Sequence, residues 1–501
     1  MKLLTRPANP KYRGRPEDQT YGVGTLFTYG TQHILTMYGG VIAPPLIVGG
    51  AAKLSPTDMA LLVTAGLFIS GCATLLQTLG IGPFGSRLPI VQGISFASVS
   101  TMVAIASDGG VRPVFGAIIV AGLIGLVVSS FFAQLVRLFP AVVTGSIITV
   151  IGLSLMPVAF QWCMGGEGVK NAGSMANIGY AGLTLVIILV ISRVFQGTIS
   201  RLSILIGLVA GTIIAALTGH ADFSPVADAK VVALPQIFHF GTPTFNVGAI
   251  VSMTIVILVI MTETTADILA IGEILDTEVD AKRVADGLRA DMAATAVAPV
   301  FGSFPCSAFA QNVGLVALTG IKSRFAVAAG GVVLVGLGLL PVVGAVVAAI
   351  PYPVLGGAGI VLFGSVAASG IRTLSRVDYH DNLNMVIVSV AIAVGIIPIA
   401  APTFWDAFPS WFSVIMHSGI SATAVVAVVL NLLFNEVTAG NKPGASVFAA
   451  RESELDELGD TLDDELRGEK RPVANSRRAP KGVSNALEDV PAVDGPQPSI
   501  G

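Results

Sequence analysis

Two short stretches, residues 88–99 (LPIVQGISFASV) and residues 304–316 (FPCSAFAQNVGLV), decide how this chain is expected to fold. Each mixes Pro, Ser, Phe, Gln and Gly into otherwise apolar sequence, so neither resembles an uninterrupted membrane helix. Backbone that is not helical is tolerated at membrane depth only where protein or a polar cavity covers it. Paired interruptions at corresponding places in two halves of a chain are typical of a transporter's substrate site.

The composition around these stretches is that of a membrane protein. Of 501 residues, 53% are hydrophobic and only 12% are charged, whereas charged residues make up about a quarter of a soluble globular protein. The net charge of −3 is too small to indicate a nucleic-acid partner. The lipid bilayer is therefore the expected environment of most of the chain.

The apolar runs set the number of crossings, because a helix needs about 20 apolar residues to span a bilayer. Eleven runs read as uninterrupted spans: 25–50, 57–79, 111–136, 141–160, 176–195, 200–218, 246–271, 325–349, 353–370, 383–401 and 412–435. Three further segments, 88–107, 288–303 and 305–319, are shorter or interrupted. Together they predict an all-α polytopic membrane protein with fourteen transmembrane segments.

The distribution of Lys and Arg supports the same count, since cytoplasmic loops accumulate these residues. With the N-terminus inside, the inner loops hold Arg87, Arg137, Arg193, Arg201, Lys282, Arg283, Arg289, Lys322, Arg324, Arg372 and Arg376. The outer loops hold only Lys53, Arg112, Lys170 and Lys230. We therefore expect a multi-pass protein of the cell membrane with both termini in the cytoplasm.

Two acidic residues, Glu263 and Asp267, fall inside the eighth predicted span, in MTETTADILA. They are four residues apart, so a helix places them one turn apart on the same side. Two carboxylates in low dielectric, without an intramembrane Lys or Arg, are not expected to stay ionised together, and a proton carrier needs that property. The alternative is that one acid bonds to backbone amides and only fixes the bundle.

Neutral amides lie in both interrupted stretches. Gln311 and Asn312 open QNVGLVALTG, where a helix starts, and Gly314 permits close approach of the backbone. A carboxamide presents both a donor and an acceptor, which matches the alternating N–H and C=O edge of an oxopurine. We predict that Gln311 binds substrate together with Glu263, whereas Asn312 is equally well explained as a bridge between helices. Gln92, in the first stretch, is expected to support the site.

Two other polar residues are expected to play supporting roles. His33 is a lone histidine in the first span, beside Gln32, and is more typical of a hydrogen-bond anchor than of a proton relay. Asp291 follows Arg289 at the predicted start of the ninth span, where a charge-paired hinge or gate explains it as well as chemistry does. The remaining histidines show no ligand pattern, so no metal site is predicted.

Together these segments resemble the nucleobase–ascorbate transporter family, also called nucleobase:cation symporter-2, over residues 20–435. The family signature, Q/E/P-N-x-G-x-x-x-x-T-R/K/G, is matched without a gap by residues 311–320. Three shorter matches accompany it: the Gln-His pair at residues 32–33, the ETTGD-type segment at residues 263–267 and the GLRAD stretch at residues 287–291. Ala266 replaces the family's common Gly, which is a small-for-small change.

The resemblance implies two inverted seven-span repeats, with half-helices and short antiparallel strands in spans 3 and 10. Spans 1–4 and 8–11 would form a core domain, from residues 24–140 and 244–349. Spans 5–7 and 12–14 would form a gate domain, from residues 141–219 and 350–436, through which relatives commonly form homodimers. Residues 1–23 would be a cytoplasmic segment, and residues 437–501 have the composition of a disordered cytoplasmic tail.

The resemblance also implies a function: proton-coupled import of an oxidised purine, xanthine or uric acid, by alternating access and without a cofactor. By position, Glu263 and Gln311 would hold the base, with Gly314 close by. Backbone contacts and an aromatic face would come from Ser95, Phe96 and Ala97. Asp267 would match the position that couples transport to protons.

Other functions remain as alternatives. Gln at the first signature position resembles the xanthine and uric acid branch more than the uracil branch, so uracil or another nucleobase is the nearest alternative. Anion transporters of similar architecture hold an anion at half-helix ends, which Glu263 opposes. An enzyme would need a nucleophile with a base, or metal ligands, at membrane depth, and ATP-driven pumping would need a P-loop. The sequence shows none of these.

Overall fold

The computed structural model describes residues 14–132, 138–166, 169, 171–227, 229–379 and 383–436. The predicted cytoplasmic segment 1–23 is therefore described from residue 14 onward. The predicted disordered tail, residues 437–501, lies outside the described residues, as do Arg137 and Lys170 of the charge distribution.

In this part of the chain, sixteen helices have eight or more residues. They are α1 Val23–Ala51, α2 Pro56–Leu79, α3 Val99–Gly109, α4 Val111–Val128, α5 Ala141–Cys163, α6 Met175–Val194, α7 Ser203–Leu217, α8 Val247–Leu275, α9 Ala281–Val297, α10 Ala310–Thr319, α11 Arg324–Gly338, α12 Pro341–Ala348, α13 Tyr352–Leu374, α14 Leu383–Ala400, α15 Ser410–His417 and α16 Gly419–Asn431. Eight of them are long and apolar enough to cross a membrane, and a bent pair adds a ninth. The shorter helices occupy the remaining predicted crossings.

Two of the eleven spans predicted as uninterrupted are in fact broken. The span 325–349 divides into α11 and α12, which are bent by 79° where Pro341 starts the second helix. The span 412–435 divides into α15 and α16 at Ser418, whose hydroxyl caps α16 by accepting a hydrogen bond from the Ser421 N–H. Apolar runs do not reveal such breaks, because Pro and Ser are both tolerated within apolar sequence.

The ninth span was predicted wrongly in its bounds. It was expected as an interrupted segment at 288–303, but α9 is continuous from Ala281 and is followed by one 3₁₀ turn, Ala298–Phe301. Asp280 caps α9 by accepting from the Arg283 N–H at 2.8 Å. Asp291 therefore lies in the middle of the helix and does not open it. The error arises because the first turns of α9 carry charges, which apolar runs exclude.

Two short strands, β1 (Gln92–Ile94) and β2 (Cys306–Ala308), pair antiparallel at the two interrupted stretches. Gln92 lies opposite Ala308, and Ile94 lies opposite Cys306. The pairing continues at both ends: the Ser95 N–H donates to the Pro305 carbonyl at 2.9 Å, and the Phe309 N–H donates to the Val91 carbonyl at 3.1 Å. The half-helices α3 and α10 follow the strands, so the predicted strands and half-helices of spans 3 and 10 are confirmed.

Helix packing follows the order that inverted repeats produce. Helix α1 packs on α11, and α8 packs on α4 in the equivalent way. Likewise, α2 packs on α11, and α9 packs on α4. Elements seven spans apart in the chain therefore have equivalent neighbours. The all-α polytopic fold with two inverted seven-span repeats is confirmed.

The crossing of α5 and α13 depends on close backbone approach. At Gly152, an added Cβ would lie 2.3 Å from the Ala367 nitrogen, whereas at Gly179, on α6, it would meet no atom within 4 Å. We predict that Gly152→Ala lowers the melting temperature in detergent, because overpacking costs about 1–3 kcal/mol. Gly179→Ala is the matched control and should be neutral or slightly stabilising. Equal shifts in both variants would contradict the tight α5–α13 crossing.

Candidate substrate site

The β1–β2 pair brings the N-terminal ends of two half-helices together inside the protein. Free N–H groups at a helix N-terminus, and the helix dipole, favour polar or negative groups there. In front of α3, a 3₁₀ turn, Phe96–Ser98, is held by Ser95, whose hydroxyl accepts from the Ala97 N–H at 3.3 Å and whose carbonyl accepts from the Ser98 hydroxyl at 2.9 Å. Ser95 and Ala97 are buried, and Phe96 is half-buried.

Helix α8 carries both predicted acids past this crossing. It packs against the Phe96–Ser98 turn, β2 and α10. Glu263 is half-buried and makes no hydrogen bond in the described part of the chain. Asp267, one turn further, is buried, and its Oδ2 has no partner among the described residues. The two carboxyl groups are therefore available to a ligand, a proton or water.

Asp291 is fully buried and forms the third member of a carboxyl cluster with Glu263 and Asp267. Its Oδ2 accepts a hydrogen bond from the Thr264 hydroxyl at 2.6 Å. Arg289 pairs with Asp286. The charge pair with Arg289, on which one of the two open interpretations of Asp291 depended, is therefore not formed.

Thr264 connects three elements and was not predicted as a site residue. Its oxygen donates to Asp291 on α9 and accepts from the Ala308 N–H on β2 at 3.2 Å. This hydroxyl therefore fixes α8, α9 and β2 relative to one another. The sequence signal was its place between the two intramembrane acids.

Gln92 faces the same cluster from β1. Its N–H donates to the Thr74 hydroxyl at 2.9 Å, which holds the strand on α2. Its carboxamide lies beside Asp291, but neither amide atom meets hydrogen-bond geometry within the described residues. The prediction that Gln92 belongs to the surroundings of the site agrees with this placement.

Aromatic rings lie on the other side of the crossing. The predicted Phe96 ring is 6.1 Å from the Phe363 ring of α13, at 72°. The Phe309 ring, which was not predicted, lies against Gly40 and Gly93: added Cβ atoms there would be 2.6 Å and 2.3 Å from it. Glycine at both positions makes room for this ring. Gly93, within residues 88–99, was the sequence feature that could have indicated such a close contact.

The signature residues divide into two groups. Gln311 and Gly314 are exposed on α10, and no hydrogen bond in the described chain joins Gln311 to Glu263. Asn312 is buried and donates to the Pro89 carbonyl at 2.8 Å, which is the bridging role left open above. His33 is buried beside Asn312, and neither ring nitrogen has a hydrogen-bond partner among the described residues.

A cavity of about 410 Å³ lies elsewhere, between α1, α7 and α12, and none of the predicted site residues lines it.

Apolar helices that surround two facing half-helices and a set of buried carboxyl groups define a polytopic membrane carrier. The transmembrane domain of the cyanobacterial bicarbonate transporter BicA has the same fold: the TM-score is 0.53 at 16% identity, over 82% of this chain and 97% of that chain. This likeness shows the fold alone.

Sequence comparison defines the family. A family model described as "Permease family" matches residues 24–404. The xanthine permease of Bacillus subtilis (strain 168) is 41% identical over 421 residues, which cover 84% of this chain and 96% of that protein. The uric acid transporter UacT of Escherichia coli (strain K12) is 38% identical over 428 residues, or 84% of this chain and 89% of that protein. The chain belongs to the nucleobase–ascorbate transporter family, whose members are permeases and not enzymes.

The shared hydroxyl of Thr264 can be tested directly. We predict that Thr264→Val weakens substrate binding about tenfold or more, because it leaves the Asp291 carboxyl and the Ala308 N–H unpartnered, at about 1–3 kcal/mol for each group. Thr264→Ser keeps the hydroxyl and should bind within about twofold of the unchanged protein. Isothermal titration in detergent measures both. Equal affinities in the Val and Ser variants would show that the hydroxyl does not organise the site.

Proposed function

We propose that this protein is a proton-coupled symporter that imports xanthine, uric acid or both across the cell membrane by alternating access. The observation that carries the proposal is Glu263: a half-buried carboxyl group that has no hydrogen-bond partner among the described residues, on the helix that packs against both half-helix entrances. The names of the relatives, a xanthine permease and a uric acid transporter, support an oxidised purine as the substrate.

Recognition of the base follows from the groups around the crossing. The Glu263 carboxylate accepts hydrogen bonds from ring N–H groups, and the exposed Gln311 carboxamide both donates and accepts. The buried backbone at Ser95 and Ala97 adds polar contacts, and the Phe96 ring stacks on the flat base. A site that pairs every N–H and C=O of an oxopurine rejects analogues that lack one.

Proton coupling follows from the carboxyl cluster. Three acids, Glu263, Asp267 and Asp291, are mutual neighbours inside the protein, and helix α8 contains no Lys or Arg. Carboxylates that share a low-dielectric site cannot all be ionised together, so at least one holds a proton. In this proposal, Asp267 carries the coupled proton while Glu263 holds the base.

Alternating access requires one group of helices to move against another, and we assign these groups to the predicted core and gate domains. In the described chain, the direct side-chain hydrogen bonds between them join neutral groups: Thr101 with Ser418 at 2.6 Å, Ser252 with Ser421 at 3.2 Å, and the Gln32 carboxamide, which donates to the Thr198 hydroxyl at 2.8 Å. A neutral hydrogen bond contributes about 0.5–1.5 kcal/mol, which thermal motion can exchange. Such contacts are compatible with the core domain sliding along the gate domain.

The same proposal includes a homodimer formed through the gate domain, with both termini in the cytoplasm. Helices α6 and α14 are the least covered of the long helices: 22% and 17% of their apolar windows are buried, against 72% in α2. A partner subunit would cover part of this surface, and lipid the rest. Cysteine cross-linking along α6 and α14 would detect the contact.

Anion transport is the second candidate, because the BicA domain shares the fold and half-helix N-termini attract anions. A carboxyl group beside the same site opposes negative charge, so we favour the nucleobase. Uptake of labelled xanthine, compared with bicarbonate and sulfate, in cells without endogenous carriers separates the two functions. Anion uptake without xanthine uptake would end the nucleobase proposal, and competition by uracil and hypoxanthine would define the range of bases.

We predict that Glu263→Gln and Gln311→Ala each weaken xanthine binding by about a hundredfold, because a hydrogen bond from the base to a charged or amide partner is lost and the base is left unpaired. Binding in detergent measures this without requiring transport. Unchanged affinity in both variants would show that the base binds elsewhere.

Asp267→Asn is expected to act differently. It should retain xanthine binding within about threefold but abolish accumulation against a gradient, because the amide cannot exchange a proton. Counterflow, which needs no net proton movement, should survive. If concentrative uptake persisted in this variant, Asp267 would not be the coupling residue.

A further inference from the structure

A row of buried polar side chains leads from the carboxyl cluster toward the cytoplasmic end of α9. At that end, Arg283 is buried and pairs with the buried Glu17 at 2.7 Å. The Arg283 guanidinium also donates to the Ser86 carbonyl at 2.7 Å and to the Arg87 carbonyl at 3.2 Å. Arg15 also approaches Glu17, at 3.9 Å, and Glu278, at 3.8 Å, so the charges at this end of the row belong to a group of two arginines and two glutamates.

One turn further along α9, two polar side-chain atoms have no hydrogen-bond partner among the described residues. They are the Ser86 hydroxyl and the Gln77 Nε2, and both residues are buried. Both lie beside Gly287: the point where a Cβ would sit is 3.1 Å from the Gln77 Nε2 and 3.1 Å from the Ser86 Cβ. The Ile268 Cδ1 methyl is nearer to that point, at 2.6 Å, so glycine at this position makes room for the Ile268 side chain as well as for the two polar side chains.

Another turn further, the row reaches the carboxyl cluster. Asp291 Oδ1, Asp267 Oδ2 and both amide atoms of Gln92 are again unpartnered among the described residues. Arg283, Gly287 and Asp291 follow at intervals of four residues, so they share one face of α9 and rise by about 6 Å per step. A rise of about 6 Å is a distance that one or two water molecules can span.

Buried polar atoms without a protein partner are costly unless water satisfies them. Here the unpartnered atoms are not scattered: those of Ser86, Gln77, Gln92 and Asp291 follow one helix face from the cytoplasmic end to the site. A continuous series of hydroxyl, amide and carboxyl groups with water between them is a medium through which a proton can move.

We infer that this polar row, defined as Ser86, Gln77, Gln92 and Asp291, carries the coupled proton from the substrate site to the cytoplasm. The inference rests on the proposed proton coupling. Asp267 passes the coupled proton to the neighbouring Asp291 carboxylate. The carboxylic acid of Asp291 then gives this proton to a water beside Gln92 and Gln77, and returns to the carboxylate that accepts the Thr264 hydroxyl bond. The proton leaves as hydronium beside Ser86, where Glu17 offsets the charge of Arg283.

The base and the proton therefore leave by different routes: the base between the core and gate domains, and the proton through the core domain. A block in the polar row should stop proton release without affecting the binding of the base. Exchange of internal for external xanthine, which needs no net proton movement, should also be unaffected.

The test uses the full-length protein in vesicles that enclose a pH-sensitive dye. Gln77→Leu has a similar volume but no polar atom, and should slow xanthine-driven acidification about tenfold or more. Xanthine binding and xanthine exchange should stay within about twofold of the unchanged protein, and Gln77→Asn, which keeps an amide, should restore acidification. Ser86→Ala should also slow acidification, whereas Ser303→Ala removes a buried, unpartnered hydroxyl outside the row and should not.

Each outcome decides between the two hypotheses. If Gln77→Leu binds xanthine normally and acidifies the vesicles at the unchanged rate, the polar row does not carry protons, although the symport proposal stands. If Gln77→Leu loses binding, the comparison of Ser86→Ala with Ser303→Ala decides, and equal acidification in these two overturns the inference. If the unchanged protein moves xanthine without acidification, proton coupling itself fails and the polar row with it.

Discussion

The pairing of β1 with β2 is the constraint on which the rest of the structure depends. Backbone that leaves the helix at membrane depth must find hydrogen-bond partners within the protein, because lipid offers none. Each interrupted stretch provides hydrogen-bond partners for the backbone of the other. Their antiparallel register, from Gln92–Ala308 to Ile94–Cys306, fixes where both half-helices begin. Inverted repeats make this possible, since they bring equivalent stretches to one place in opposite directions.

The site lies around the β1–β2 pair, and its side chains make few hydrogen bonds with one another. The Thr264 hydroxyl forms hydrogen bonds with both Asp291 and the β2 backbone, and the Thr74 hydroxyl forms one with β1. Hydroxyl groups therefore fix the strands to α2, α8 and α9. Within the described chain, Glu263 makes no hydrogen bond, and Asp267 Oδ2 and Asp291 Oδ1 have no partner. A site that must release both its ligand and its proton benefits from such a division, because rigid support and weakly held functional groups reside on different residues.

The sequence predicted the fold well where one physical signal dominates. Eight of the predicted apolar runs contain one helix that is long enough to cross a membrane, and the mixed polar stretches became strands followed by half-helices. The prediction failed where apolar sequence is combined with charged or helix-breaking residues. The charged first turns of α9 made its start appear too late, and the breaks at Pro341 and Ser418 within two apolar spans were not recognised. Among site residues, the sequence left two roles open for Asp291, and the charge pair that one of them required is not formed because Arg289 pairs with Asp286.

By itself, the sequence determined that the chain crosses a membrane, where its interrupted spans lie and which ionisable residues are inside, because the cost of polar groups in lipid is local and can be read residue by residue. Only the tertiary structure decided which of those groups meet. The Asp291–Thr264 bond, the placement of Phe309 between Gly40 and Gly93, and the polar row through Gln77 and Ser86 join segments far apart in sequence. No local pattern encodes them, since contacts of this kind follow from helix packing across the whole bundle.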